Sequence, residues 1–180
     1  MTRSRFHSQS EAPMANAPLH HDSPHKHGGP SKGRPPHVLL VEDDDVMRAM
    51  LAEAFRREGW QVTECADAMR WLQSCVREAT RRDVGDYTAT ATPYDVVVSD
   101  IRMPNVGGLD ALRILREIHC DDACPPTIFI TAFGDEETHK RARDLGAVTV
   151  LDKPFAMKDL LQRVRSVANA QFGAERDQKK

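Results

Sequence analysis

The sequence has no long apolar run, few aromatic residues and no strong excess of charge of either sign. No stretch approaches the roughly 20 apolar residues that span a bilayer, and the first residues lack the apolar centre of a secretory signal peptide. The net charge of -2 and the pI near 6.4 are unlike those of a strongly basic nucleic-acid binder. We therefore expect a cytoplasmic protein with no direct contact to a membrane or to nucleic acid.

Cysteine is also scarce. Without an export signal, the four cysteines are expected to be reduced thiols and not a disulfide framework: Cys65, Cys75, Cys120 and Cys124. An alternative is a metal site that combines Cys120 and Cys124 with His119, but the sequence shows no fourth ligand.

Residues 1–36 hold most of the histidines, together with Pro, Ser and Gly, and almost no large apolar side chains. Such a segment cannot bury enough apolar surface to fold, so we predict a disordered tail. Its histidines are possible transition-metal ligands, but they have no regular spacing and no cysteine or carboxylate beside them. A solvated tail is the favoured interpretation.

From His37 onwards, short apolar runs alternate with amphipathic stretches, which is the pattern of a parallel sheet covered by helices. Five strands are predicted, at 38–41, 60–65, 94–99, 127–130 and 148–151. Later helices are predicted at 67–79, 109–119, 135–145 and 157–170. The pattern predicts one α/β domain over residues 37–170.

The first helix is predicted to begin after Asp44 or Asp45 and to end at Gly59. Its repeated apolar residues are expected to face the core: Val46, Met47, Met50, Leu51, Ala54 and Phe55. Residues 81–93 have no periodic apolar face and are interpreted as a long surface loop, and residues 171–180 as a flexible tail. So little chain remains beyond the last helix that we expect this domain to work alone, without a DNA-binding or enzymatic domain after it.

Polar side chains follow four of the predicted strands. The first strand ends in Glu42 and Asp43, the third in Asp100, the fourth in Thr131 and the fifth in Lys153. Because the strands of a parallel sheet point the same way, these side chains are expected to gather along the edge where open α/β sheets bind their ligands.

Three of these side chains are carboxylates, which repel one another unless a cation lies among them. An all-oxygen set favours Mg²⁺, with Asp43 and Asp100 as direct ligands and Glu42 acting through water. Such a metal would withdraw charge from a phosphoryl group transferred in line to Asp100 as the nucleophile. Lys153 offers an ammonium, and Thr131 a hydroxyl, to the phosphoryl oxygens. Singly, each residue is also compatible with a helix cap or a solvated charge, but the combination predicts a phosphoryl-accepting site.

The stretches that carry these residues resemble the receiver domain of two-component response regulators. They are VLLVEDDDVMR, YDVVVSDIRMPNVGG, TIFITAFG and GAVTVLDKPF, in the family's order. The resemblance implies an acidic pair, a phosphoacceptor, a switch hydroxyl and a phosphate-contacting lysine, which are Glu42 with Asp43, Asp100, Thr131 and Lys153 respectively.

The resemblance also implies that the backbone carbonyl of Arg102 completes the Mg²⁺ shell and that the Lys153–Pro154 bond is cis. It implies a doubly wound, five-stranded parallel sheet of order 2-1-3-4-5 with helices on both faces. The phosphoryl donor would be a histidine kinase or a histidine phosphotransfer protein of a phosphorelay, and the output partner is unknown.

Two departures from the family's pattern stand out. Val150 occupies a position in the fifth strand where many members carry Tyr or Phe, so coupling of Thr131 to a rotating aromatic ring is not available. The connection at 81–93 is longer than the family usually needs. In addition, Arg102 and Phe133 stand where family members flank the path of the hydrolytic water, and neither is a water-orienting acid or amide.

Two other functions are compatible with parts of the pattern. A phosphatase of the haloacid dehalogenase type also uses an aspartate nucleophile and Mg²⁺, but it needs a second aspartate two residues later, where this chain has Arg102. A phosphorylation-independent interaction module would keep the fold but not the complete set of site residues. We therefore expect a signalling switch, not an enzyme with a separate substrate, whose catalysis is limited to its own phosphorylation and dephosphorylation.

Overall fold

The computed structural model describes residues 34–82, 94–119 and 124–177. The strands are β1 (His37–Val41), β2 (Gln61–Cys65), β3 (Val96–Asp100), β4 (Thr127–Thr131) and β5 (Thr149–Asp152). The helices are α1 (Asp45–Arg57), α2 (Ala68–Arg82), α3 (Gly108–His119), α4 (Glu136–Asp144) and α5 (Met157–Asp177).

The five strands form one parallel sheet of order β2-β1-β3-β4-β5, which confirms the predicted topology. Every residue of the central strands β3 and β4 is buried, whereas the outer strands β2 and β5 are partly exposed. Apolar, β-branched runs such as Val96–Val98 suit this position because helices cover both faces of a parallel sheet.

Two apolar cores lie on opposite faces of the sheet. Leu39 and Val41 point to the face covered by α2, α3 and α4, and Val38 and Leu40 to the face covered by α1 and α5. This alternation is the period of two expected of a strand, and it confirms helices on both faces. Val150 is partly buried against the first of these cores.

The prediction for the buried face of α1 was partly wrong. Val46 and Met50 are 80 % and 50 % exposed, and the buried residues of the helix are Leu51, Ala52 and Phe55. With 3.6 residues per turn, Val46 lies on the side of α1 opposite these three buried residues. Its apolar side chain therefore faces solvent.

Several boundaries also differ from the predictions. The fifth helix continues past residue 170 to Asp177, because the following residues include strong helix formers such as Ala, Gln, Glu and Arg. The second helix continues to Arg82, so it includes the first two residues of the predicted loop at 81–93, and residues 83–93 lie outside the described part. No helix within the described residues is long and apolar enough to cross a membrane.

The last three residues of the predicted tail, 34–36, have contacts with the folded domain. Pro36 accepts a backbone hydrogen bond from Gln61 at 2.8 Å, and an Arg34 guanidinium nitrogen lies 2.7 Å from Asp95 Oδ1. Asp95 Oδ2 also accepts the His37 backbone N–H at 2.7 Å. Residues 34–36 therefore pack against the sheet, while residues 1–33 lie outside the described part.

Candidate functional site

The polar residues at the strand ends meet at one edge of the sheet. Asp100 and Thr131 are the last residues of β3 and β4, because each strand ends one residue later than predicted. Glu42 and Lys153 directly follow β1 and β5. In the register of the sheet, Asp100 pairs with Ile130 on β4, and Thr131 pairs with Asp152 on β5. The four strand ends thus bring these groups together as the sequence predicts.

Glu42, Asp43 and Asp100 form an acidic cluster. One carboxylate oxygen from each lies within 4.8 Å of the other two. Glu42 and Asp100 are 1 % and 7 % exposed, whereas Asp43 is open to solvent. Oxygen ligands with one open side fit Mg²⁺, which keeps several of its waters. Within the three described segments, this is the one group of three or more such side chains close enough to hold a metal.

Lys153 lies between the two buried carboxylates. Its Nζ is 2.7 Å from Asp100 Oδ2 and 2.9 Å from Glu42 Oε2. Burial by itself lowers the pKa of Lys153, but its hydrogen bonds to Asp100 and Glu42 outweigh that effect and raise the pKa above its ordinary value. Lys153 therefore carries its charge at neutral pH. The sequence predicts its place at the site but gives no signal of its contact with Glu42.

Burial raises the pKa of the Glu42 carboxyl above its ordinary value. The hydrogen bond from Lys153 opposes this rise, and the nearby Asp100 carboxylate adds to it. The ammonium therefore offsets only part of the cost of placing two carboxylates in one buried cleft. A divalent cation beside Asp43 would remove more of that repulsion.

Thr131 is fully buried, and its hydroxyl oxygen accepts the Phe133 backbone N–H at 3.1 Å. Its backbone carbonyl accepts the Lys153 N–H at 2.6 Å, which links the ends of β4 and β5. The hydroxyl proton is not used by the Phe133 contact. Donation of this proton to a phosphoryl oxygen stays a prediction.

The loop after β3 orients the Asp100 carboxylate. The Arg102 backbone N–H donates to Asp100 Oδ1 at 3.0 Å, so the two oxygens of Asp100 have different partners. This contact places the Arg102 backbone at the site, where the resemblance implies a carbonyl ligand. The Lys153–Pro154 peptide bond is cis, as the resemblance implies.

Two further supports of Asp100 were missed from the sequence. The buried Ser99 hydroxyl donates to the Asp100 carbonyl at 2.9 Å. A methyl group placed at Gly108 would lie 2.2 Å from the same carbonyl oxygen, so only a glycine allows α3 to begin this close to β3. The pair Gly107–Gly108 was a usable signal for this close approach, but nothing in the sequence marks Ser99.

The alternative metal site at Cys120, Cys124 and His119 lies partly outside the described residues. Cys65, Cys75 and Cys124 are thiols and form no disulfide, as predicted, and Cys120 lies outside the described residues. Burial raises the pKa of both Cys65 and Cys75 to about 11. These two thiols are therefore part of the core, not nucleophiles or ready metal ligands.

Comparison with known proteins agrees with this geometry. The sequence signature of the response regulator receiver domain matches residues 38–165. This chain belongs to the response regulator receiver family. The family assignment from the four sequence stretches is thereby confirmed.

Curated relatives of this receiver domain include two transcriptional regulators. The transcriptional activator protein PfeR of Pseudomonas aeruginosa is 34 % identical over 137 residues, which are 72 % of this chain and 39 % of PfeR. The transcriptional regulatory protein CpxR of Escherichia coli is 30 % identical over 141 residues, which are 78 % of this chain and 53 % of CpxR. The receiver chain thus spans about half the length, or less, of these two relatives.

The fold is also that of a solved chemotaxis protein. The structure of CheY4 from Vibrio cholerae has a TM-score of 0.59 and 24 % sequence identity, over 74 % of this chain and 99 % of the CheY4 chain. At this identity the similarity shows the fold of the receiver domain and nothing more specific.

Proposed function

We propose that this receiver domain is a phosphorylation switch that accepts a phosphoryl group on Asp100 in a Mg²⁺-dependent reaction. The observation that carries the proposal is the position of the Asp100 carboxylate. It contacts the Lys153 ammonium at 2.7 Å, and it also belongs to the acidic cluster with Glu42 and Asp43. A carboxylate that lies beside both a fixed cation and a cation site is suited to attack on a phosphoryl group.

The residues of this chain have separate roles in the proposed transfer. A carboxylate oxygen of Asp100 forms the new bond to phosphorus while the bond from phosphorus to the donor's imidazole nitrogen breaks. The Lys153 ammonium binds a phosphoryl oxygen, either in place of its contact with Asp100 or in addition to that contact. Thr131 donates its hydroxyl proton in a hydrogen bond to another of these oxygens.

Asp43 and Asp100 would bind the Mg²⁺ directly, Glu42 would act through a water, and the Arg102 carbonyl would complete the protein's ligands. A Mg²⁺ held by these residues would neutralise charge that develops on the transferred group. The exposed carboxylate of Asp43 leaves room for the waters that Mg²⁺ retains.

We propose a histidine kinase or a histidine phosphotransfer protein as the donor, in the cytoplasm, and a change in the binding of an output protein as the result. All the proposed site residues lie between Glu42 and Lys153, so phosphoryl acceptance needs no second domain. That the chain works as a stand-alone switch stays a prediction, since the two curated relatives are longer proteins. We propose no activity on a separate substrate, because Arg102 stands where a phosphatase of the dehalogenase type needs its acid.

Acetyl phosphate provides the direct test, because it needs no cognate kinase. With Mg²⁺, the full chain should gain one phosphoryl group, detected by intact-protein mass spectrometry and removed by hydroxylamine, as expected of an acyl phosphate. Asp100→Asn and an EDTA-treated sample should gain none. Glu117→Gln, on the exposed side of α3, is a matched control that should be labelled like the unmodified chain. An unlabelled wild type would instead favour the phosphorylation-independent interaction module.

A further inference from the structure

Arg48 in the second turn of α1 contacts the backbone of the acidic cluster. Its Nη1 donates to the Glu42 carbonyl at 2.8 Å, and its side chain is only 15 % exposed. The sequence offers no reason to single out this arginine among the charged residues of α1. Its contact with a backbone oxygen beside the proposed metal site sets it apart.

Two carboxylates fix the Arg48 guanidinium in place. Its Nη2 pairs with Asp45 one turn earlier on α1, and its Nε lies 3.8 Å from Glu64 Oε2 on β2. Glu64 also binds Arg56, with Nη2 at 2.6 Å from Oε1. Arg48 therefore links the end of β1, the start of α1 and the neighbouring strand β2.

The Glu42 carbonyl belongs to the peptide unit that leads into Asp43. The Glu42 N–H, on the other side of the residue, donates to the Cys65 carbonyl of β2 at 3.1 Å. Glu42 is thus held at both its backbone groups. Because a peptide unit is planar, fixing its carbonyl also fixes the N–H and the direction in which the Asp43 Cα follows.

We propose that Arg48 is a positioning residue for the metal site, which holds the Glu42–Asp43 peptide so that the Asp43 carboxylate faces Asp100. This role rests on the proposed function, since it gives the Mg²⁺ site a support beyond its direct ligands. Residues that orient metal ligands commonly change metal affinity by about 10- to 100-fold when they are replaced.

A purely electrostatic role for Arg48 predicts the opposite change in Mg²⁺ affinity, so the direction of the change tests the proposal. Arg48 is a cation near a cation site, so removing its charge should tighten Mg²⁺ binding if it acted only through the electrostatic field. If it acts by positioning Asp43, removing it should weaken binding. Arg56 is the matched control, because it shares the Glu64 partner but has no hydrogen bond to Glu42.

The experiment measures the Mg²⁺ dissociation constant of the full, unphosphorylated chain by amide chemical shifts in an NMR titration. Arg48→Met should bind Mg²⁺ about tenfold more weakly than wild type, and Arg56→Met should bind as tightly or slightly more tightly. Arg48→Lys keeps the charge but lacks the branched guanidinium group that reaches Glu42 and both carboxylates at once. Its Mg²⁺ affinity should therefore be intermediate. Thermal unfolding in EDTA shows whether each variant is folded at the titration temperature. If Arg48→Met is unfolded, the Mg²⁺ affinity of Arg48→Lys decides whether Arg48 positions the site.

Arg48→Met that binds Mg²⁺ as tightly as wild type, or more tightly, would overturn the positioning role and leave the proposed function intact. Equal weakening in Arg56→Met would also overturn it, since the effect would then belong to the charge cluster around Glu64. A wild-type chain that shows no Mg²⁺-dependent shifts at Asp43 and Asp100 would overturn the proposed function itself, and the role of Arg48 with it.

Discussion

The guanidinium carbon of Arg102 lies 4.3 Å from the centroid of the Phe133 ring. The two residues come from different loops, one after β3 and one after β4, and each stands two positions beyond a proposed site residue, Asp100 or Thr131. Phe133 is 57 % exposed, so this cation–π pair lies at the surface beside the site. The resemblance to the receiver family implies that both side chains flank the approach of water, but not that they contact each other.

The first prediction concerns the lifetime of the phosphorylated form. Because neither Arg102 nor Phe133 is an acid or amide that orients a water, and because both add bulk beside Asp100, hydrolysis of the aspartyl phosphate should be slow. The double variant Arg102→Asn with Phe133→Glu should shorten the lifetime by about tenfold or more, which corresponds to about 1.4 kcal/mol of barrier. The decay is followed by mass spectrometry after removal of acetyl phosphate.

Val148→Glu is the control for this measurement, since Val148 is a similarly exposed apolar residue in the connection between α4 and β5. It should leave the lifetime unchanged. A double variant at Arg102 and Phe133 with an unchanged or longer lifetime would show that these side chains do not limit the access of water.

The second prediction concerns the unequal roles of Asp43 and Glu42. Asp43→Ala should weaken Mg²⁺ binding more than Glu42→Gln, because Asp43 is exposed and available for direct ligation, whereas Glu42 Oε2 is already bound by Lys153. Calorimetric titration of the unphosphorylated proteins measures both affinities, which should be weak in all cases without the phosphoryl ligand. The reverse order of the two variants would exchange the roles of the two acids.

The third prediction concerns the start of the folded domain. Deletion of residues 1–33 should leave the free energy of unfolding unchanged, because the sequence places no core or site residue there. Arg34→Ala in the full chain should lower it by about 1–2 kcal/mol, since Asp95 is 3 % exposed and loses one of its partners. Urea denaturation of both proteins provides the values. Equal stability of Arg34→Ala and wild type would mean that the His37 N–H is enough to satisfy Asp95.

The fourth prediction concerns the buried thiols. With a pKa of about 11, Cys65 and Cys75 are ionised to only about one part in a thousand at pH 8. In the variant with Cys120→Ser and Cys124→Ser, the folded protein should therefore not react with Ellman's reagent on a time scale of minutes. Two thiols should react at once in guanidinium chloride. Rapid reaction of the folded variant would show that the core around α2 opens easily.

Much of the site was predictable because its residues occupy positions that the chain itself marks. A parallel strand is an apolar run, and polar residues begin where the run ends, so the sequence alone assigns Asp100, Thr131 and Lys153 to one edge of the sheet. The same reasoning gives the strand number. The strand order came from the resemblance to the receiver family.

Contacts between distant parts of the chain were not predictable in this way. The bond from Lys153 to Glu42 joins residues 111 positions apart, and that from Arg34 to Asp95 joins residues 61 positions apart. Both depend on the packed geometry, not on any local pattern. The burial of Val46 was wrongly predicted for a related reason. An apolar side chain favours burial, but the sequence does not show whether another element packs against it.

The contact between Arg34 and Asp95 has a practical consequence for labelling experiments. It lies where β1 and β3 begin, while Asp100 lies where β3 ends, so the two are separated by the length of a five-residue strand, about 17 Å. A fluorophore or affinity handle attached ahead of Arg34 therefore joins the domain at the end of the sheet remote from the incoming donor. Such a reporter would allow binding of the proposed phosphoryl donor to be measured without blocking the surface around Asp100.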